Sequence, residues 1–211
     1  MKRTSQGFLI VLEGIDGSGK STLTDGLSHA LKELGYAVVQ TREPGGSSFG
    51  VHLRQILQHS VERPTAEAQF LLFAADRAHH IATVVQPALQ QGSIVISDRM
   101  ADSSMAYQGY GHGVDRAMIA TVNRWAMQGI EPDLILYIDL DWQTALQRIQ
   151  KGRKQLTAFE QEQDAFFERV AAGFKEIFHH RTNIIKINGS QTPATILQQA
   201  IAEVTKVLER T

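Results

Sequence analysis

The chain has 211 residues, 43% of them hydrophobic and 20% charged, which places it among globular proteins and excludes intrinsic disorder. Basic and acidic residues number 21 and 22, a net charge of −1 with histidine neutral, so the balance does not mark a general nucleic-acid binder. There is no cysteine, hence no disulfide and no thiolate zinc site. The longest apolar runs, 8–12 and 134–138, fall far short of the roughly 20 residues that span a bilayer. The N-terminal stretch reaches Glu13 and Asp16 without a cleavage-type segment. A cytoplasmic protein of one domain, 1–211, is expected, with no nucleic-acid or membrane partner.

Five short runs rich in Val, Ile and Leu, at 8–12, 37–39, 94–96, 134–138 and 184–187, match buried parallel strands in length and composition. Helical spacing recurs between them. In 22–34, Leu23, Leu27, Leu31 and Leu34 share a face, and 65–90 sets Phe70, Phe73 and Ala74 opposite Asp76 and Arg77. Helical segments follow at 114–128, 142–150, 159–178 and 193–208, the last with Thr192 as N-cap and Pro193 at the first helical position. Strands alternating with helices predict an α/β fold: a five-stranded parallel sheet with right-handed crossovers and helices on both faces. Ligands of such sheets collect at the carboxyl ends of the strands. The residues to inspect are therefore 13–21, 41–46, 97–99, 139–141 and 188–189. The eight histidines follow no metal-ligand spacing. His79-His80 and His179-His180 are adjacent on helices, about 100° apart, and read as structural or solvated.

Gly14-Ile15-Asp16-Gly17-Ser18-Gly19-Lys20-Ser21 fits G-x-x-x-x-G-K-[ST] at every fixed position, after a strand and opening a helix. Glycines let successive N–H groups turn inward around phosphate oxygens, and the helix N-terminus adds partial positive charge. Lys20 is placed to reach the β- and γ-phosphates and Ser21 to hold Mg²⁺. No Asn-Lys-x-Asp guanine tetrapeptide and no Leu-Ser-Gly-Gly signature occurs, which favours ATP. A second motif, Ile94-Val95-Ile96-Ser97-Asp98-Arg99, is an apolar strand ending in a carboxylate that can support the Mg²⁺ shell. Arg99 offers a planar fork suited to phosphate oxygens.

With these motifs the chain resembles the thymidylate kinases over nearly its whole length. The resemblance rests on Glu13 to Ser21, on Thr41-Arg42-Glu43-Pro44-Gly45-Gly46 and on Leu72-Phe73-Ala74-Ala75-Asp76-Arg77. It rests equally on Ser97-Asp98-Arg99 and on Asp102-Ser103-Ser104-Met105-Ala106-Tyr107-Gln108-Gly109. It implies a three-layer P-loop kinase fold with a short mobile lid, and phosphoryl transfer from Mg·ATP to the 5′-phosphate of dTMP by a homodimer. It implies that Asp16 meets the sugar 3′-hydroxyl, and that Arg77 and Gln108 bond the thymine edge with Ser104 nearby. Phe73 would stack on the base, and Tyr107 would crowd the 2′ position. Arg99 would bridge the two phosphates, and the loop around Glu43 would lie beside the deoxyribose and its phosphate. The residues alone leave alternatives: Phe73 as core, Arg77 as a solvated helix residue, Tyr107 and Gln108 as loop, Asp16 as a turn residue.

The lid falls at about 148–158. The P-loop carries no arginine, so the resemblance implies that the lid supplies one, with Arg148 and Arg153 the candidates and Arg148 also suited to packing beside adenine. Two positions depart from the family pattern: Thr157-Ala158-Phe159-Glu160 replaces an Asp-Arg-x-Glu segment, and Met100 follows the Asp-Arg pair. The competing functions are a kinase for another nucleotide, a P-loop ATPase without a small acceptor, and a catalytically silent homologue.

Overall fold

The computed structural model describes residues 7–152 and 164–210. Five strands, β1 (Phe8–Glu13), β2 (Val38–Arg42), β3 (Ile94–Asp98), β4 (Leu134–Asp139) and β5 (Ile184–Asn188), form one parallel sheet in the order β2-β3-β1-β4-β5. The central strands β1, β3 and β4 are the most apolar and the most buried, while the edge strands β2 and β5 are partly exposed. That difference follows from covering a sheet on both faces: the middle must be apolar throughout, the margins need not be.

Side-chain alternation along β1 sorts the two faces. Phe8, Ile10 and Leu12 meet Leu23, Leu27 and Leu31 of α1 (Lys20–Glu33) and Ile196, Ala200 and Val204 of α9 (Pro193–Leu208). Leu9 and Val11 point the other way, to Ile81, Val85 and Met100. Beyond β4, Ile135 and Tyr137 pack on Phe167, Val170 and Phe174 of α8 (Asp164–Phe178) and near Ala145 and Ile149 of α7 (Trp142–Gly152). Each fully buried leucine of α1 contributes roughly 1.5–3 kcal/mol through removal from water.

The helix over 65–90 is continuous but not uniform. α3 (Ala66–His80) passes through a π-helical stretch, Ile81–Val85, into α4 (Gln86–Gln90). Pro87 withholds one N–H from the ladder and its ring crowds the preceding turn, which the wider π geometry accommodates. Two helical segments were not expected. One is α2 (Ser48–His59), capped by Ser47, whose hydroxyl accepts from the Gly50 N–H. Its exposed Phe49, Val51 and Ile56 blur the apolar stripe that marks a helix in sequence. The other is α5 (Ala101–Ser104), continued by a π-helical stretch, Met105–Gly111. Gly109 and Gly111 weaken helix propensity there, but Gly111 is where Phe166 and Val170 of α8 approach, so tertiary packing decides the conformation.

The strands run further toward their carboxyl ends than the apolar pattern suggests. β1 ends on Glu13, β3 on Asp98, β4 on Asp139 and β5 on Asn188, so a polar rim stands along one edge of the sheet. α6 (Arg116–Ala126) completes the helices among the described residues.

Candidate active site

The Gly14–Ser21 loop leads from β1 into α1. Gly17 has φ 78°, and a Cβ there would lie 2.6 Å from the Ala145 carbonyl oxygen of α7, so only glycine fits. α1 starts after Gly19 with no side-chain cap, leaving its first N–H groups open toward the cleft. Lys20 is buried, and its Nζ donates to the Gly14 carbonyl at 3.0 Å and the Ile15 carbonyl at 2.9 Å. Burial, then the neighbouring Arg99, pull its ammonium down to about 8. Ser21 Oγ donates to Asp98 Oδ2 at 2.7 Å, joining the two sequence-expected metal residues across β3 and α1. Ser18 Oγ is buried with no hydrogen-bond partner among the described residues. The Ile15 side chain turns into the core beside Tyr107 and Tyr137, so only its backbone serves the loop.

A cleft of about 570 Å³ opens over this loop. Asp16, Gly17, Ser18, Gly19, Lys20 and Ser21 line it, with Asp98, Arg99, Arg42, Arg54 and Arg148. Arg148, on α7, donates Nη2 to the Gly189 carbonyl at 2.8 Å and stands near Gln191, Pro193 and Ile196. Arg153 and most of the expected lid lie outside the described residues.

A second, smaller cleft adjoins the first. Asp16, Glu43, Phe73, Arg77, Arg99, Ser104, Tyr107 and Gln108 all line it. These are the acceptor residues expected from the resemblance, drawn from the P-loop, the β2–α2 and β3–α5 connections, α3, α5 and the π-helical stretch. Asp16, Glu43, Arg54, Gln58 and Arg99 belong to both clefts and form the wall between them.

Arg99 is the hub of that wall. Its Nη1 donates to the Gly14 carbonyl at 3.0 Å and Ser103 Oγ at 2.9 Å. Its Nη2 donates to Asp16 Oδ1 at 2.7 Å and the Tyr107 hydroxyl at 3.1 Å. Tyr107 in turn donates to Asp16 Oδ2 at 2.9 Å. Burial by itself would raise the Asp16 carboxyl. The Arg99 guanidinium, Lys20 and the Tyr107 hydroxyl outweigh burial and hold it down to about 2. Arg99 has φ 73°, in the left-handed region that non-glycine residues avoid.

Arg77 is 1% exposed, so it is neither a solvated helix residue nor unpaired core. Nε donates to Glu43 Oε2 at 2.8 Å, Nη1 to Asn123 Oδ1 at 2.6 Å, and Nη2 to the Met100 carbonyl and Ser104 Oγ, both at 3.1 Å. Four of five N–H groups are thereby used, and the fifth, on Nη1, has no acceptor among the described residues.

Sequence reading gave no role to three participants. Arg54 lies on the unexpected α2, and its Nη1 donates to the Pro44 carbonyl at 2.9 Å. Asn123, on α6, fixes Arg77 from 46 residues away, a pairing no local pattern announces. Glu13 is fully buried and accepts from Met100 N at 2.9 Å, Ser103 N at 3.3 Å and Ser103 Oγ at 2.5 Å, which anchors the segment that carries Arg99. Burial, then Asp102, push its carboxyl up to about 7. A lone carboxylate closing an apolar strand was the available signal.

The family model for thymidylate kinase matches residues 12–201. The thymidylate kinase of Clavibacter sepedonicus is 47% identical over 168 residues, 80% of each chain. That of Leifsonia xyli subsp. xyli is 42% identical over 185 residues, 88% of each. The crystal structure of thymidylate kinase from Ehrlichia chaffeensis superposes with a TM-score of 0.76 at 31% identity, covering 94% of this chain and 98% of that one. With a P-loop, a carboxylate-tipped β3 and an adjoining second cleft on a five-stranded parallel sheet, the chain belongs to the thymidylate kinase family.

Proposed function

We propose that this protein transfers the γ-phosphoryl group of ATP to the 5′-phosphate of dTMP, giving dTDP and ADP, a step of dTTP synthesis. One observation carries the reading: two clefts share a wall that includes Arg54 and Arg99, so cations stand where donor and acceptor phosphates must meet. Phosphoryl transfer asks for such positioning and charge neutralisation more than for covalent chemistry.

The larger cleft fits Mg·ATP. The uncapped start of α1, the orphaned Ser18 hydroxyl and the buried Lys20 make a cradle for phosphate oxygens. Ser21 and Asp98 give a hard oxygen donor pair that suits Mg²⁺. When bound, Mg²⁺ supplies charge neutralisation to the phosphates. Lys20 adds its ammonium beside them, and Arg148 closes the side toward Gln191 and Pro193. Arg153 remains the second candidate for a lid arginine.

The smaller cleft fits dTMP. The remaining Arg77 Nη1 hydrogen donates to a thymine carbonyl, and the Gln108 amide pairs the base edge, with Ser104 holding Arg77 in place. Phe73 offers a stacking face worth on the order of 1–3 kcal/mol. Asp16, ionised under the pull of Arg99, accepts from the sugar 3′-hydroxyl. Tyr107, pinned by Asp16 and Arg99, stands as the wall against a 2′-hydroxyl. Glu43 fixes Arg77 and keeps its loop beside the sugar and phosphate. Arg99 faces both clefts and neutralises the charge that develops in transfer. No general base is required, because a phosphate monoester with a second pKa near 6 is already largely dianionic at about pH 7.

The whole chain, 1–211, is read as one domain, since the described residues share one sheet, and as cytoplasmic. No helix among the described residues is long and apolar enough to cross a membrane. A homodimer is supported by Leu71 on α3 and Met118 and Trp125 on α6, large apolar side chains left exposed on two helices that pack together. Coupled ADP release with dTMP, dUMP, UMP or no acceptor tests the function. Turnover specific to dTMP, weaker with dUMP, is expected, and release indifferent to acceptor would overturn it.

A further inference from the structure

Behind Glu43 and Arg77 lie two buried polar residues, Thr41 and His80, that the proposed chemistry does not use. His80 is fully buried. Its Nδ1 is 3.0 Å from Glu43 Oε1 and its Nε2 is 2.6 Å from Thr41 Oγ1. The other Glu43 oxygen takes Arg77 Nε at 2.8 Å. Thr41, His80, Glu43 and Arg77 thus form one continuous line from the end of β2 to the acceptor cleft.

The chemistry of the donors fixes the ring. An ionised carboxylate only accepts, so Nδ1 carries the proton. Nε2 faces the Thr41 hydroxyl, which can donate or accept. The loop backbone packs close against the ring: a Cβ on Gly46 would lie 2.6 Å from His80 Nε2. Asp76 Oδ1 ties the same loop through Gly45 N at 3.2 Å. His80 follows Arg77 by three residues on α3, so the two share a helix face and one loop carboxylate reaches both.

We propose that His80 is a positioning residue for acceptor recognition: it holds the Glu43 carboxylate, and Glu43 aims the Arg77 guanidinium at the base. The inference rests on the reading of the smaller cleft as the dTMP site. His80 touches neither cleft lining nor phosphate, so its loss acts through the orientation of Arg77. The consequence is a weakened hold on the acceptor with little change in the transfer step.

Two substitutions separate the two ring nitrogens. His80→Asn places an amide near Nδ1 and keeps the donor to Glu43. His80→Gln places it near Nε2 and abandons Glu43. His80→Gln is expected to raise KM for dTMP about tenfold, the loss of one hydrogen bond to a charged group, with kcat and KM for ATP within about twofold. His80→Asn is expected to restore KM for dTMP to within about threefold of wild type. A general structural role would move both variants alike, and equal KM shifts in the two would overturn the inference. Arg77→Lys serves as the control. If it raises KM for dTMP while His80→Gln does not, the inference alone fails. If neither moves it, the acceptor-cleft reading fails with it. The wild-type protein offers a test without substitution. Long-range proton–nitrogen spectra should show a proton on His80 Nδ1, and a ring with Nδ1 unprotonated would overturn the proposal even if both variants failed to fold.

Discussion

Arg99→Ala probes the wall between the clefts. The side chain makes four hydrogen bonds, to Gly14, Ser103, Asp16 and Tyr107, and its ion pair with Asp16 is partly buried. Breaking a buried pair by removing one partner costs about 3–5 kcal/mol, and partial solvent access to Asp16 and Arg99 puts this site near the lower bound, at about 3. For a chain of this size that is a fall of about 6–12 °C in Tm. The catalytic loss is separate: removing a preorganised group that meets developing charge lowers kcat about 10²–10³-fold. Coupled ADP release and thermal melting read the two quantities in one preparation. Arg99→Gly sharpens the comparison, since φ 73° suits glycine. It should be as inactive as Arg99→Ala yet about 1 kcal/mol more stable. An Arg99→Ala enzyme that keeps kcat within about threefold of wild type would refute the assignment of Arg99 to the transfer step.

Arg54→Ala, which removes a cation shared by both clefts, should raise KM for dTMP about 10-fold or more in steady-state assays with little change in Tm. Lys20 titrates near 8, and its charged form binds phosphates, so KM for ATP should be flat below that pH and rise above it. A raised carboxyl favours the neutral form in the fold, so the contribution of Glu13 is fully present below its unfolded value of 4.5 and is lost as pH rises through about 7. Melting across that window should therefore show wild type falling relative to Glu13→Gln. In the core, Leu27→Ala should cost about 2–5 kcal/mol in denaturant unfolding without changing KM for either substrate.

How much the sequence disclosed follows from which interactions are local. The strands were visible because a sheet covered on both faces demands apolar runs, as at 8–12 and 134–138. The P-loop was visible because phosphate binding constrains consecutive residues. Arg77 stood out through the Leu72–Arg77 motif, but its partners, Glu43 and Asn123, come from other elements. His80 was read as structural or solvated. It is buried, and its significance depends on Thr41 and Glu43, which lie 39 and 37 residues away. The π-helical stretch at Met105–Gly111 was not legible at all, because its glycines argue against a helix and packing against α8 makes it favourable. It nonetheless sets Tyr107 and Gln108 side by side in the acceptor cleft.

The central claim is that the two clefts hold a donor and an acceptor nucleotide for direct transfer. The most direct measurement is the fate of label from γ-labelled ATP, mixed with Mg²⁺, dTMP and enzyme in a single turnover. Label recovered in dTDP, and ATP left intact when dTMP is omitted, is the predicted result. Label appearing in inorganic phosphate at the same rate with and without dTMP would contradict it.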